Sequence, residues 1–432
     1  MKDKAIWKGK CPVWSALVAV TGLVLVLAIV LAACGPQATP VPKVPPTETA
    51  IPTPAFTPTP TATPTPTATP TPDPTFPMKT PHFSFGVNVD LYYREGVGRP
   101  ADEVMGFVDD LGVEWVRIQA SWADTEPEKG TYAWDALDAI VDVVGKHNRK
   151  LLVSIVRSPS WATADGGYGM PVDPADLGEF LTAMATRYQG RIQAYEVWNE
   201  QNYAVENDGY VAGAERYVEL LKVAYTRIKE AHPEAIVVCG PLTPTGVNNP
   251  YLAIDDITYL KKMLGYQDGI IRNYFDVLGV HVAGTLNPPD TLWPDRPGPG
   301  PGWVDHPTHY FRHVENIRAV MVAYGMGDKP IWITEFGWAT ANYSWGYEYG
   351  YDNSEEDQAR YIVRALEIIE EDWPWVEGAF LWNLNFAVVR GDYHEQGAFG
   401  ILHSDWSPRP AYLAVQRHLH DIRRREFRQD TP

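Results

Sequence analysis

The chain has 432 residues, of which 45% are hydrophobic, so it can bury one large core or two to three smaller ones. A formal net charge of −18 argues against nucleic acid as a partner, because phosphate binding needs a basic surface. The three cysteines form neither a CxxC pair nor a Cys/His cluster, so we expect no metal site and no disulfide framework.

The first 34 residues have the pattern of a bacterial export signal. Four early lysines precede an apolar run that extends from about residue 13 to residue 33. The run ends in Leu31-Ala32-Ala33-Cys34, which resembles the lipobox of bacterial lipoproteins, in which the cysteine is lipidated. We therefore expect a lipoprotein signal over residues 1–34 and a lipid on Cys34. The alternative is an uncleaved transmembrane helix, since the run is nearly long enough to span a bilayer. Both place the rest of the chain outside the cytoplasmic membrane.

The next segment, residues 35–80, is of low complexity. Residues 36–81 contain 16 Pro and 14 Thr in 46 positions, a composition that cannot bury a core. Proline-rich chains favour extended polyproline II at about 3.1 Å per residue. We expect a disordered stalk that separates a lipid-anchored domain from the membrane.

The composition of residues 81–428 is globular, and short β-rich runs alternate there with amphipathic helical stretches. This alternation predicts a parallel sheet covered by helices, and eight units in one domain fit a (β/α)8 TIM barrel. The predicted strands are 83–89, 113–118, 150–156, 194–199, 235–240, 275–282, 330–336 and 378–383. The predicted helices include 101–111, 135–147, 174–189, 213–231, 308–325 and 354–371. Long Gly/Pro/Tyr-rich loops, 284–306 and 338–352, follow strands six and seven.

Two glutamates end predicted strands of this barrel. Glu200 follows strand four and Glu335 ends strand seven. Active sites of TIM barrels lie at the C-terminal ends of the strands. Cleavage of a glycosidic bond needs two carboxyl groups, one that protonates the leaving oxygen and one that faces the anomeric carbon. The pair therefore predicts a glycoside hydrolase, although either glutamate alone would be interpreted as a structural residue.

The surrounding motifs resemble those of glycoside hydrolase clan A, a group of retaining (β/α)8 enzymes. The resemblance rests on Trp198-Asn199-Glu200-Gln201-Asn202 and Thr334-Glu335-Phe336-Gly337-Trp338. Further similarity, to the cellulase-like family 5 and the β-xylosidase-like family 39, lies in 115–119, Trp122, Glu126-Pro127, Gly130, 132–134 and 158–162. The resemblance covers about residues 81–420 and does not specify the sugar.

This resemblance implies roles for individual residues. Glu200 would be the general acid/base and Glu335 the nucleophile, while Asn199 would bind the sugar 2-hydroxyl. Arg117, at the end of strand two, would bind Glu335 and keep it ionised. Trp382, at the end of strand eight, would form the floor of the sugar site.

Three more residues are candidates for substrate binding. His281, at the end of strand six, is expected beside Glu335 and nearer to it than to Glu200. Trp161 and Trp338, in loops after strands three and seven, are expected to contact sugar. The aromatic hydroxyl that often follows the clan's histidine is missing after His281, so Tyr343 or another loop tyrosine is expected to replace it. Glu196 lies deeper on strand four and is expected to be a buried structural carboxylate.

Other enzyme classes lose support because no GxGxxG, P-loop, GxSxG or HExxH motif is present. We expect a monomeric glycosidase without a cofactor that cleaves β-linked extracellular carbohydrate. Two alternatives stay open: a non-catalytic sugar-binding lipoprotein, and a transglycosylase on the same scaffold.

Overall fold

The computed structural model describes residues 84–92, 98–295 and 303–429. The predicted export signal, the lipidation site at Cys34 and the Pro/Thr-rich segment lie outside these residues. Within the described part of the chain, no helix combines the length and the apolar character needed to cross a membrane.

Eight parallel strands close into a barrel in the order β1-β8-β7-β6-β5-β4-β3-β2. Most of their residues are buried because the strands contact the barrel interior on one face and the helices on the other. The strands are β1 Ser84–Asn88, β2 Trp115–Ser121, β3 Lys150–Val156, β4 Ala194–Val197, β5 Ile236–Cys239, β6 Val277–Ala283, β7 Ile331–Gly337 and β8 Val376–Leu381.

One long helix follows each strand of the barrel. Local signals set the helix ends: Asp173 and Ser354 cap the N-termini of α3 and α7, and Gly112 ends α1 with a φ of 84°. The helices are α1 Ala101–Leu111, α2 Asp135–Lys146, α3 Pro174–Arg187, α4 Ala214–Ala231, α5 Asp256–Gly265, α6 His313–Ala323, α7 Glu355–Asp372 and α8 Pro410–Gln429.

The interior of the barrel is filled by a cluster of apolar side chains, most of them from the N-terminal halves of the strands. Trp115 and Trp332 pack edge to face, with ring centroids 5.0 Å apart, and Phe380 lies against both rings. This cluster is completed by Leu152, Ala194, Val238 and Val277. Because the cluster closes that end of the barrel, polar chemistry is confined to the opposite, C-terminal end.

The structure confirms the predicted barrel. All eight strands and the six predicted helices are present, with ends that differ from the predictions by up to five residues; α5 and α8 complete the set. Long loops follow β6 and β7, as expected. Cys239 is a buried free cysteine at the end of β5, where burial raises the pKa of its thiol to about 12.

Candidate active site

The structure brings Glu200 and Glu335 together at the C-terminal end of the barrel. One carboxylate oxygen of each glutamate and one ring nitrogen of His281 lie within 4.8 Å of one another. Both glutamates face a shared cavity of about 360 Å³. Their side chains are 18% and 16% exposed, so a bound molecule can reach either of them.

Arg117 holds Glu335 from inside the barrel. Its guanidinium is fully buried on β2, and Nη1 donates to Glu335 Oε1 at 2.6 Å and to Asn88 Oδ1 at 2.6 Å. Nη2 donates to Glu196 at 2.5 Å and to Asn199 Oδ1 at 3.1 Å. The guanidinium therefore holds both Glu335, the nucleophile candidate, and Asn199, which precedes Glu200.

Glu196 is fully buried and accepts two hydrogen bonds from Arg117, from Nε at 3.1 Å and from Nη2 at 2.5 Å. It does not line the cavity, so its contacts agree with the structural role expected for it. A buried guanidinium between two carboxylates is electrostatically compensated, whereas removal of Arg117 would leave both carboxylates without their positive partner.

His281 bridges the two glutamates, which differs from the predicted position. Its Nδ1 lies 2.9 Å from Glu200 Oε1, and its Nε2 lies 3.5 Å from Glu335 Oε1. The prediction that His281 sits nearer to Glu335 is therefore wrong. The backbones of His281 and Glu335 are nevertheless neighbours, because a register shift pairs Val280 with Ile333 and His281 with Glu335, and it is the direction of the imidazole that brings Nδ1 to Glu200. The extra residue on β7 places Glu335 opposite His281.

The chain turns sharply after β4, and this turn places Glu200. Trp198 has a φ of 72° and Glu200 a φ of 45°, a left-handed backbone that is costly for residues with side chains and persists only when the surroundings enforce it. The Glu200 amide donates to Pro241 O at 3.0 Å. The Trp198 indole donates to Asn207 Oδ1 at 2.9 Å, which anchors the turn from its other side.

Asn202 extends this support towards the loop after β5. Its amide nitrogen donates to Thr243 O and Ile254 O, both at 2.9 Å, while its oxygen accepts from Thr243 N at 2.8 Å. Gly240 lets β4 and β5 approach closely, because a Cβ there would lie 2.4 Å from Val197 O. The Asn199-Glu200 pair is therefore held by neighbouring loops on both sides.

Of the three tryptophans predicted to contact sugar, one lines the cavity and two do not. Trp382 lines the cavity together with both glutamates. Trp338 is fully buried in the core, and its indole donates to Asn287 O at 2.9 Å, so the prediction that it contacts sugar is wrong. Trp161 packs against Trp122, donates to Glu126 O at 3.1 Å and is not among the cavity-lining residues.

Several cavity residues were missed by sequence reasoning. Tyr347 is the loop tyrosine that faces the carboxylates, whereas Tyr343 is 77% exposed and lies outside the cavity. The loops are too irregular for spacing to indicate which aromatic points inwards. The missed lining residues include Tyr203, Thr243, Trp303, Thr308, His309, Trp345, Tyr347, Tyr349 and Phe399.

Burial governs the protonation of the site. It raises the pKa of Glu200 to about 7, against an opposing hydrogen bond from Thr243 and the charge of Arg117. Burial also raises the pKa of Glu335, and the charges of His281, when it is protonated, and of Arg117 oppose that rise. Arg117 thus acts in the expected direction but does not outweigh burial. The pKa of His281 is lowered to about 4, mainly by burial, so its imidazole is neutral near pH 7.

A third carboxylate, Glu206, lies beside the pair and was not predicted. Its side chain hydrogen-bonds Asn199, and burial together with the charge of Glu200 raises its pKa to about 7. Arg157 opposes that rise. Asn199 is thus held between Arg117 and Glu206, with its oxygen turned towards the guanidinium.

Glu200, His281 and Glu335 could also be considered as ligands of a metal ion. The Arg117 guanidinium, 2.6 Å from Glu335, places a positive charge where it would repel a cation. Two carboxyl groups in unequal surroundings are instead the arrangement that acid/base and nucleophilic chemistry requires.

Comparisons with known proteins agree with this architecture. A family model described as β-galactosidase, of glycoside hydrolase family 42, matches residues 92–164. A family 39 glycoside hydrolase from Bacteroides cellulosilyticus WH2 is 21% identical with a TM-score of 0.57; the match covers 78% of this chain and 63% of that enzyme. The chain therefore spans less than two thirds of that enzyme's length.

Two further solved structures have the same fold. Xylanase 10B from Thermotoga petrophila RKU-1, solved with xylobiose, is 14% identical over 79% of this chain and 94% of the xylanase, with a TM-score of 0.52. An endo-β-1,4-glucanase from Xanthomonas axonopodis pv. citri is 14% identical over 79% of this chain and 99% of that enzyme, also with a TM-score of 0.52. The predicted resemblance to (β/α)8 glycoside hydrolases is thereby confirmed, and the fold of this chain is theirs.

Proposed function

We propose that this protein is a retaining glycoside hydrolase that cleaves β-linked poly- or oligosaccharides outside the cell. The observation that carries the proposal is the pair of carboxylates, Glu200 and Glu335, with oxygens within 4.8 Å at one cavity. Retaining pairs lie about 5–5.5 Å apart, whereas inverting pairs need roughly 6.5–9.5 Å for an intervening water. The short separation favours direct attack by one glutamate on the anomeric carbon.

The different surroundings of the two glutamates support different roles for them. Glu200, whose pKa is raised to about 7, keeps a proton that it can transfer to the glycosidic oxygen as the bond to the anomeric carbon breaks. Glu335, bound by Arg117, forms a new bond to that carbon and gives a glycosyl ester. In the second step Glu200 removes a proton from water, the water oxygen bonds to the carbon, and the ester bond to Glu335 breaks.

Three features of the site favour these two reaction steps. Arg117 holds the Asn199 oxygen, which leaves the amide nitrogen of Asn199 to donate towards Glu206 and a sugar 2-hydroxyl. When Glu335 loses its charge in the ester, the electrostatic cost of ionising Glu200 falls, so Glu200 can act as a base. Trp382, at the edge of the cavity, offers a flat ring to the C–H face of the sugar.

Substitution of each glutamate tests these roles. Glu335→Gln should remove nearly all turnover of every substrate. Glu200→Gln should impair substrates with poor leaving groups most, because only these need protonation, and should partly spare aryl β-glycosides of acidic phenols in the first step. Rates of product release from a series of aryl glycosides, together with β-glucan, xylan and mannan, measure this difference. Glu103→Gln, at an exposed position on α1, is the matched control.

The stereochemistry of the first-formed product provides the second measurement. NMR of a fresh digest should show the anomer of the substrate, as double displacement requires. A product with inverted anomeric configuration would refute the retaining mechanism. An equal loss of turnover in Glu200→Gln for substrates with good and with poor leaving groups would refute Glu200 as the acid. Glycan binding without turnover would identify a sugar-binding lipoprotein, and transfer of glycosyl units to added sugars would identify a transglycosylase.

A further inference from the structure

At the rim of the cavity and beyond it, the loop that follows β7 exposes large aromatic side chains. Trp345 is 92% exposed and Tyr343 is 77% exposed, and Tyr393, from the loop after β8, is 57% exposed. We call these three residues the aromatic platform. Rings left in water forgo the hydrophobic stabilisation that burial would give. Several large aromatic side chains exposed on neighbouring loops commonly mark a binding site.

Hydrogen bonds join the two loops that carry the platform. The Tyr343 amide donates to Tyr393 O at 2.8 Å, and the two rings lie 5.1 Å apart. Ser344 Oγ donates to the Glu395 carboxylate at 2.9 Å and accepts from the Glu395 amide at 2.9 Å. The exposed rings are therefore presented by anchored backbone on both loops.

The β7 loop is also fixed from within. Asn342 donates from its amide nitrogen to Thr340 O and Tyr347 O, both at 3.0 Å. Gly350 lies so close to Thr340 that a Cβ would be 2.2 Å from its carbonyl oxygen. Because the loop conformation is held by these contacts, the platform is organised before a ligand arrives, which lowers the entropic cost of binding.

The platform continues the aromatic lining of the cavity. Tyr347 lines the cavity beside both glutamates, and Trp345, two residues earlier in the same loop, lines its rim. Trp303, from the loop after β6, packs on Tyr349 with ring centroids 5.0 Å apart. Aromatic residues of this one loop therefore lie in the cavity with both glutamates, at Trp345 and Tyr347, and outside it, at Tyr343.

We propose that the aromatic platform binds sugar units of a neutral glycan chain that extends from the cleaved bond, so that the enzyme prefers long chains to small glycosides. The proposal rests on the proposed function and names its substrate class. Flat rings stack on the C–H faces of sugars without blocking their hydroxyls. Glu348 and Glu395 bind the backbone and side chains of this loop, and their charges disfavour an anionic glycan.

The test compares a polymer with a small substrate in the full-length protein. For Trp345→Ala, we expect the ratio of kcat/KM on β-glucan, xylan or mannan to kcat/KM on an aryl monoglycoside to fall about tenfold. Tyr343→Ala and Tyr393→Ala should lower the ratio less, and Trp345→Phe should restore most of it because a ring is retained. Tyr324→Ala, which changes an exposed tyrosine between α6 and β7 at the opposite end of the barrel, is the matched control.

Binding is measured separately, by retardation in gels that contain each polymer. Glu335→Gln should be retarded by one of the neutral polymers, and the added Trp345→Ala substitution should abolish most of that retardation. Retardation without turnover of any glycoside would refute the proposed hydrolase and leave the platform supported. If Trp345→Ala changed neither the ratio of kcat/KM on polymer to kcat/KM on aryl monoglycoside nor the retardation, the platform proposal would be overturned. The same holds if Trp345→Ala altered only the self-association of the protein.

Discussion

At the scale of single residues, Arg117 explains why the site is both buried and charged. It contacts Asn88, Glu196, Asn199 and Glu335 at once, so four polar side chains from β1, β4, the turn after β4 and β7 share one cation. A buried charge is tolerated only when such partners satisfy it. The link between Arg117 and Glu335 was predictable from family motifs, but the contact with Glu196 follows from strand register.

Glu206 provides a prediction about stability and pH. Its pKa is about 7 in the folded protein, above the ordinary 4.5 of a glutamate. The folded state therefore binds more protons than the unfolded chain between these values, so this stabilising contribution is complete below about pH 4.5 and is lost as the pH rises through 7. Glu206→Gln should flatten the decline in stability between pH 5 and pH 8.

Urea unfolding midpoints at pH 5, 6, 7 and 8 measure this effect. The control is Glu103→Gln, at an exposed position on α1, whose unfolding midpoint should change with pH as that of the wild type does. The same Glu206→Gln substitution removes a negative charge near Glu200, which lowers the pKa of Glu200 and should move the basic limb of the kcat/KM profile to lower pH. If the urea midpoint and kcat/KM of Glu206→Gln varied with pH as they do in the wild type, Glu206 would not be the group with the raised pKa.

At the scale of elements, the sequence predicted the barrel because each strand and helix has its own periodic pattern. The strand ends also located Glu200, Glu335 and Arg117, since parallel strands in a barrel end at one face. The extra residue in β7 could not be predicted, because pairing register depends on the neighbouring strand. Trp338 was misplaced for a related reason: beyond the end of β7 no alternation indicates which way a side chain points.

The approach of β4 to β5 gives a prediction about backbone packing. Gly240→Ala would place a Cβ 2.4 Å from Val197 O and 2.9 Å from Trp198 O, so the end of β4 must shift. We expect a loss of about 1–3 kcal/mol in the free energy of unfolding, as for other overpacked sites. Activity should fall as well, because the same backbone carries Asn199 and Glu200.

Gly106→Ala is the control for this substitution. Gly106 lies inside α1, where nothing would contact the added Cβ within 4 Å, so alanine should stabilise the helix by about 0.5–1 kcal/mol. Urea unfolding and kcat/KM on an aryl glycoside measure both variants. If Gly240→Ala retained full stability and activity, close packing between β4 and β5 would not be what positions Glu200.

At the scale of the whole molecule, the acidic chain and its N-terminal sequence lead to a proposal about location. Neutral carbohydrate is compatible with a net charge of −18, because its binding does not depend on electrostatic attraction. The Pro/Thr-rich residues 35–80 would give the barrel a reach on the order of 100 Å from an anchor, at about 3.1 Å per residue. An enzyme held in this way could reach an insoluble or bulky glycan without being lost by diffusion.

The anchor itself is tested at Cys34, which follows Leu31-Ala32-Ala33. Cys34→Ala should abolish incorporation of a labelled fatty acid, because the thiol is the proposed site of lipid attachment. One acyl chain gives only marginal membrane binding, whereas several hold a protein firmly. The wild type should therefore stay with membranes at high salt, and a chain lacking residues 1–34 should be released in active form. Label incorporation that persists in Cys34→Ala would rule out lipidation at this cysteine. Membrane retention of that variant without label would instead indicate the uncleaved transmembrane helix.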